Sequence, residues 1–384
     1  MGAVAEVTFD DAAWERLFQI TGGVFAPCFS CGVCTATCPW GVVGDGKVRI
    51  RDVVRKVQLG LDADLEESLW LCTTCAACVA SCPRGVDIPE GFLALRSQAW
   101  REGRTPRNLH GVLWAVHWDA NPYRRPPTHR PLWAKGLEVK EFTPEDEVLY
   151  YVGCTPSYDR RIQKVARSLV EILRRSGVSF GTLGERERCC GESIRSFGHD
   201  AYLRRYVEEH AKLFAEVGAK TVVTTSPHCY DMFRRHYPDL GGGFQPLHYT
   251  EYLARLLEEG RLRFTREVRM RVTYHDPCYL GRRNGVYEEP RKLLQAIPGV
   301  EFVEMRENRE QALCCGGGGG RMWMETKPEE RFSNLRVQQA AETGAELLVT
   351  ACPHCITCLE DSLKVVGITG LRVVDVAEVV AQAM

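Results

Sequence analysis

The chain has 384 residues, of which 45% are hydrophobic and 26% charged, and a formal net charge of -1. That is the composition of a folded protein of two or three domains, with no long-range field to draw it onto nucleic acid. No stretch approaches the roughly eighteen consecutive apolar residues a membrane-spanning helix needs. The amino terminus, MGAVAEVTFDDAAWERLF, also lacks the features of an export signal or a myristoylation site, so a cytoplasmic chain with no direct membrane span is expected. The unusual quantity is 18 cysteines, which in a reducing compartment are expected to bind soft metals rather than form disulfides.

In chain order, the first informative element is CFSCGVCTATCP at 28–39, and CTTCAACVASCP repeats it at 72–83. Both runs read C-x2-C-x2-C-x3-C-P, the two-cluster ferredoxin spacing, in which three cysteines wrap one [4Fe-4S] cluster and the fourth ligates the other cluster. On that rule Cys28, Cys31, Cys34 and Cys82 hold one cluster, and Cys72, Cys75, Cys78 and Cys38 hold the second. Structural zinc sites normally take two separated C-x2-C pairs, which fits these runs poorly. Between the runs, Ile50, Val53, Val54, Val57 and Leu61 have the spacing of an apolar helix face. Pro89 then opens a helical stretch through Phe92, Leu93, Leu95 and Ala99. With its CPRGVDIP ending, residues 1–103 resemble the all-helical ferredoxin domain of fumarate reductase iron-sulfur subunits and of the small subunit of heterodisulfide reductase. Residues 104–147, with NPYRRPPTHRPLW, read as an irregular linker whose Arg-Trp content covers a domain joint or offers a docking surface.

The remainder is duplicated. VLYYVGC pairs with RVTYHDPC, RCCGES with LCCGGG, and VVTTSPHC with LVTACPHC; the offsets are 124 for Cys154 and Cys278, 125 for Cys189 and Cys314, and 126 for Cys229 and Cys355. Residues 148–262 and 263–384 are therefore two related units. Each alternates strand-like runs (148–152 and 221–225; 268–274 and 345–350) with helical ones (162–174 and 201–216; 329–342). The alternation predicts parallel sheets with helices on both faces and cysteines at strand ends.

In the second unit, Cys278, the adjacent pair Cys314-Cys315 and the Cys352-x2-Cys355 pair resemble the cysteine-rich CCG domain of the catalytic subunit of heterodisulfide reductase. The resemblance implies that these five cysteines hold a noncubane iron-sulfur cluster that serves as the redox site. Gly316, Gly317 and Gly318, in the run GGGGG, would then let backbone approach the cofactor. A phosphate loop is disfavoured, because the run follows a double cysteine and lacks Lys-Ser/Thr. Cys358 is expected to be a buried helix thiol, and His228, His354 and His275 to support turns or to hydrogen-bond beside a cluster. In the first unit Cys154, Cys189, Cys190 and Cys229 remain, but Ser226 stands where the second has Cys352. A hydroxyl is a harder and less acidic ligand than a thiol, so that unit is expected to hold at most a cubane or a degenerate cluster.

The expected fold is thus an all-α ferredoxin domain followed by two α/β CCG units. The expected function is that of an iron-sulfur electron-transfer subunit of a heterodisulfide reductase-like complex. The alternative is a carrier linking a flavoprotein dehydrogenase (glycolate, lactate, glycerol-3-phosphate or electron-transfer-flavoprotein type) to a quinone or other acceptor. No nicotinamide or flavin fingerprint occurs in the sequence, so the resemblance implies a flavoprotein partner, a membrane cytochrome or a quinone-reactive subunit.

Overall fold

The computed structural model describes residues 10–43, 47–61 and 66–384. The amino-terminal signal reading and parts of the 40–71 spacer lie outside them. Among the described residues up to Ala134 every element is helical. Ile50–Gln58 buries Ile50, Val53, Val54 and Val57, as their spacing requires. Ile88–Arg101 starts where the Asp87 side chain accepts the Glu90 N–H at 3.3 Å, and Pro89 fits the first turn. The segment expected to be irregular contains a 13-residue helix, Arg107–Asp119. Its Leu109, Val112, Leu113 and Val116 form a buried stripe at helical spacing, a signal masked by the Pro-Arg text that follows it. Pro127–Ala134 continues as a 3-10 helix.

Two four-stranded parallel sheets follow. The first contains β1 (Val148–Tyr151), β2 (Phe180–Gly181), β3 (Thr221–Thr224) and β4 (Gln245–His248), in the order β2-β1-β3-β4. The second contains β5 (Met270–Tyr274), β6 (Val300–Phe302), β7 (Leu347–Thr350) and β8 (Arg372–Asp375), in the order β6-β5-β7-β8. The strand order is the same in both, as duplication requires. The registers also correspond: Leu149 pairs with Val222 in the first sheet and the equivalent Thr273 with Leu348 in the second. β1 and β7 are buried along their whole length, which is why they read as unbroken apolar runs. The edge strands, at two to four residues, were too short to stand out in the sequence.

The two units bury one joint core. Helix Gln163–Arg175 of the first packs on Val376–Ala383 of the second, and Tyr249–Glu258 of the first packs on Glu288–Ala296 of the second. These are reciprocal contacts between equivalent helices, so the units are related by an approximate two-fold. At this interface the Tyr249 hydroxyl donates to Asp375 Oδ1 at 2.5 Å. The amino-terminal helices cover both units. Trp70, Leu109 and Val116 share a core with β1 and Phe214, while Phe92, Val54 and Trp40 share one with Tyr279, Cys314 and Phe332.

Candidate iron-sulfur centres

The two ferredoxin-type runs fold alike. Ser30 and Thr74, each two residues past a first cysteine, have φ of 64° and 52°; Gly32 and Ala76, each just past a second cysteine, have φ of 88° and 60°. Left-handed backbone is costly for residues other than glycine, and here it turns amides inward. Ser30 N–H donates to Cys28 Sγ and Thr74 N–H to Cys72 Sγ, each at 3.4 Å, as does Val86 N–H to Cys82 Sγ. Packing of helix Val33–Thr37 on Ala77–Ala80 brings the runs together. Cys38 lies beside Cys75 and Cys72, which together with burial push its thiol up. Burial pushes Cys78 up as well, with Cys75, Cys72 and Cys38 around it. Thiols packed this closely resist ionisation unless a cation lies among them, so the set fits an iron-sulfur centre. Cys31 is exposed, whereas Cys75 and Cys78 are buried.

Cys278, Cys314, Cys315, Cys352 and Cys355 of the second unit are all buried. Cys278 follows the end of β5, and Cys352 caps helix Pro353–Val366 just after β7. Cys355 Sγ lies 3.4 Å from Cys315 Sγ, Cys314 neighbours Cys278 and Cys315, and Cys352 neighbours Cys355. Five soft donors converging in a dry site fit an iron-sulfur group. His275 Nδ1 accepts from Arg336 Nε at 3.1 Å, and the ring faces Cys315 and Cys355.

This cysteine set adjoins the second ferredoxin-type run directly. The Cys314 and Cys75 thiols lie side by side, a closeness that with burial pushes Cys75 well up. The Cys314 thiol also lies 3.8 Å from Thr73 Oγ1, and the Thr74 hydroxyl is 2.7 Å from that of Tyr279. The glycine run serves this junction. A Cβ on Gly318 would sit 2.4 Å from Thr73 O, and one on Gly319 2.3 Å from Cys72 O. Gly316, Gly317 and Gly318, expected to let backbone approach a cofactor, meet different neighbours. Gly318 and its neighbour Gly319 admit the 72–73 backbone, Gly317 faces Cys358 and Met322, and only Gly316 adjoins the cysteines, its N–H donating to Cys314 Sγ at 3.3 Å. Fully buried Arg96 fastens the joint: its guanidinium donates to Leu69 O, Cys72 O, Gly319 O and Ser196 O. An arginine inside the apolar stripe of 92, 95 and 99 was the available signal for it.

In the first unit Cys189 neighbours Cys154 and Cys190, and Cys190 neighbours Cys229, so the four thiols form a chain. Buried Ser226 shares their cavity, which measures about 30 Å³. Arg130 Nη2 donates to Cys154 Sγ at 3.2 Å while Nη1 pairs with buried Glu187 at 2.7 Å, and Glu187 also accepts the N–H groups of Val152 and Gly153. The linker thus contributes a buried cation to the site. The two Pro-His-Cys histidines meet between the units, with ring centroids 4.5 Å apart. His228 stacks on Tyr279 at 3.9 Å, faces Glu192 at 3.4 Å and neighbours Cys352 of the second unit. It does more than shape a turn: the altered TTSPHC motif sends its histidine to the intact site.

A cleft of about 380 Å³ opens on Cys315 and Gly316, with Met322, Thr357, Arg321 and Lys364 in its walls. Cys358, expected to be buried, is partly exposed on this cleft, 3.6 Å from Met322 Sδ. Among the described residues no helix is long and apolar enough to cross a membrane.

Comparison with known proteins agrees with this architecture. Residues 25–86 match the 4Fe-4S dicluster domain, and residues 148–234 and 272–360 each match the cysteine-rich domain. The chain is 36% identical to the EtfAB:quinone oxidoreductase of Syntrophomonas wolfei over 334 residues, covering 83% of the chain and 47% of that relative. It is 35% identical to a probable iron-sulfur-binding oxidoreductase, FadF, of Bacillus subtilis, covering 84% and 47%. The chain thus spans about half the length of these two relatives. It is also 30% identical to a subunit of the dihydromethanophenazine:CoB--CoM heterodisulfide reductase of Methanosarcina barkeri over 388 residues, covering 93% of both. With a 4Fe-4S dicluster domain followed by two cysteine-rich domains, and with this overlap along nearly the whole of the Methanosarcina polypeptide, the chain belongs to the heterodisulfide reductase-like family of iron-sulfur oxidoreductases.

Proposed function

We propose that this chain carries electrons in a line through three centres. The first is a [4Fe-4S] cluster at Cys28, Cys31, Cys34 and Cys82, the second a [4Fe-4S] cluster at Cys72, Cys75, Cys78 and Cys38, and the third a noncubane cluster at Cys278, Cys314, Cys315, Cys352 and Cys355. The observation that carries the reading is the position of Cys314, in contact with Cys75 on one side and with Cys278 and Cys315 on the other. The outer end of the line faces solvent: Cys31 is exposed, as are the apolar Phe29 and Val33 two residues to either side of it, a surface suited to a redox partner. The inner end faces the cleft at Cys315, which is large enough for a small thiol or disulfide. When bound, the third cluster would supply electrons one at a time to a sulfur substrate. The protein's part is to hold five thiolates in a dry site, exclude water with Phe332 and the 316–320 backbone, and leave one open face.

The first unit's Cys154, Cys189, Cys190 and Cys229 would hold a further, simpler cluster, with Arg130 offsetting thiolate charge. A second reading keeps the wire but places substrate chemistry on a partner flavoprotein, with the acceptor a quinone or a membrane cytochrome subunit. The likeness to an EtfAB:quinone oxidoreductase favours it. In either case the chain would work from the cytoplasmic side through a partner.

Anaerobic purification with iron and acid-labile sulfide analysis tests the count. Two cubanes account for four irons each, so more than about ten irons per chain is expected, and fewer overturns the three-centre line. On addition of small disulfides, a changed paramagnetic signal from the third centre supports catalysis there. An unchanged signal moves the chemistry to the partner.

A further inference from the structure

His275 is the first residue past β5, three before Cys278, and the repeat aligns it with Tyr151 of the first unit. Its backbone is fixed on both sides: His275 N–H donates to Val349 O at 2.8 Å, and Thr350 Oγ1 donates to His275 O at 3.2 Å. Its ring is buried, and Nε2 has no hydrogen-bond partner among the described residues. Yet a ring nitrogen and the sulfurs of Cys315 and Cys355 all lie within 4.8 Å of one another.

The obvious interpretation is a metal ligand, since imidazole and two thiolates make a common donor set. The other side of the ring argues against it. Arg336 is fully buried and its Nε donates to His275 Nδ1 at 3.1 Å, while its Nη1 is occupied by Glu307 O and Gln339 Oε1. A guanidinium has only donors to offer, so Nδ1 must be the acceptor, and in the neutral ring the proton then sits on Nε2. Nε2, the ring nitrogen left without a partner, is therefore an N–H, with no lone pair for a metal. A cation bonded to Nδ1 also draws density from the ring and strengthens Nε2–H as a donor. The first unit has no equivalent: Tyr151 instead donates its hydroxyl to Arg188 O at 2.6 Å.

We infer that His275 is a positioning residue of the second unit's centre, its Nε2–H donated to the thiolates of Cys315 and Cys355 in a tautomer set by Arg336. Hydrogen bonds to ligand sulfurs stabilise the more negative, reduced state and so raise the reduction potential. This inference rests on the proposal that those cysteines hold an iron-sulfur cluster.

The test is an anaerobic redox titration of the reconstituted full chain, followed by electron paramagnetic resonance, for the parent, His275→Leu, His275→Gln and Arg336→Met. His275→Leu should bind as much iron as the parent but hold at least tenfold less reduced cluster at a fixed potential, 59 mV for a one-electron couple. His275→Gln keeps an N–H at the same reach and should recover most of the shift. Arg336→Met leaves the imidazole in place, frees its tautomer and should move the potential the same way; it decides the matter if His275→Leu loses its iron. An unmoved potential in a variant that keeps its iron overturns the inference and leaves the proposed function standing. A nitrogen hyperfine coupling of coordination strength in the parent overturns it in favour of ligation. A parent with no third centre overturns both.

Discussion

Replacing Gly319 with alanine tests whether the glycine run is a joint between domains. Two costs are expected there. Gly319 has φ of 60°, and its added Cβ would lie 2.3 Å from Cys72 O and 2.9 Å from Thr73 Cα. A left-handed non-glycine residue costs about 1–2 kcal/mol, and forcing a methyl into a packed site about 1–3 kcal/mol, giving about 2–5 kcal/mol together. Two other glycines separate the terms. Gly318→Ala meets Thr73 O at 2.4 Å without a positive φ, so only the clash of about 1–3 kcal/mol applies. Gly367→Ala has φ of 74° with nothing within 4 Å, so only the backbone cost of about 1–2 kcal/mol applies. Anaerobic guanidinium unfolding followed by circular dichroism should rank Gly319→Ala as most destabilised. Reduction of the third centre by dithionite should also slow in Gly318→Ala and Gly319→Ala but not in Gly367→Ala. Equal unfolding midpoints for Gly319→Ala and Gly367→Ala would refute the reasoning, because a methyl 2.3 Å from a carbonyl cannot be accommodated without moving the 72–73 backbone.

The other predictions concern the first unit. Ser226→Cys adds a fifth thiol beside Cys154, Cys189, Cys190 and Cys229 and should raise iron per chain; unchanged iron means the small cavity and Arg130, not residue 226, set the limit. Burial pushes His210 down to about 3, against about 6.5 for an unfolded histidine. Because the folded value is the lower one, its contribution to stability is fully present above pH 6.5 and is lost as pH falls from there toward 3. His210→Gln should flatten the decline in the unfolding midpoint between about pH 7.5 and 5.5, and a parallel decline in both proteins would exclude His210 as its source.

The ligand spacings were legible in the sequence because cysteine clusters are local signals. The duplication was legible because three landmarks keep their offsets to within two residues. What the sequence hid depends on contacts between distant segments. That the 72–73 backbone packs directly on Gly318 and Gly319 could not be read from the glycine run. His228 looks like part of a degraded site until its ring is found on Cys352, and Arg130 looks like linker until it is found on Cys154. The helix Arg107–Asp119 is a different case: its stripe was present in the text and was outweighed by the prolines after it.

Arg96 ties residues 69 and 72, 196 and 319 through one guanidinium, so the ferredoxin-type part and both units hold a fixed arrangement rather than swinging on a tether. Many electron carriers must diffuse or rotate to reach their acceptors, and their throughput then follows concentration and solvent viscosity. On the proposed electron line the inner donor and its acceptor would meet at a permanent effective concentration. Dilution should therefore slow only the encounter with an outside partner at Cys31, and the internal passage should proceed at the same pace in glycerol as in water.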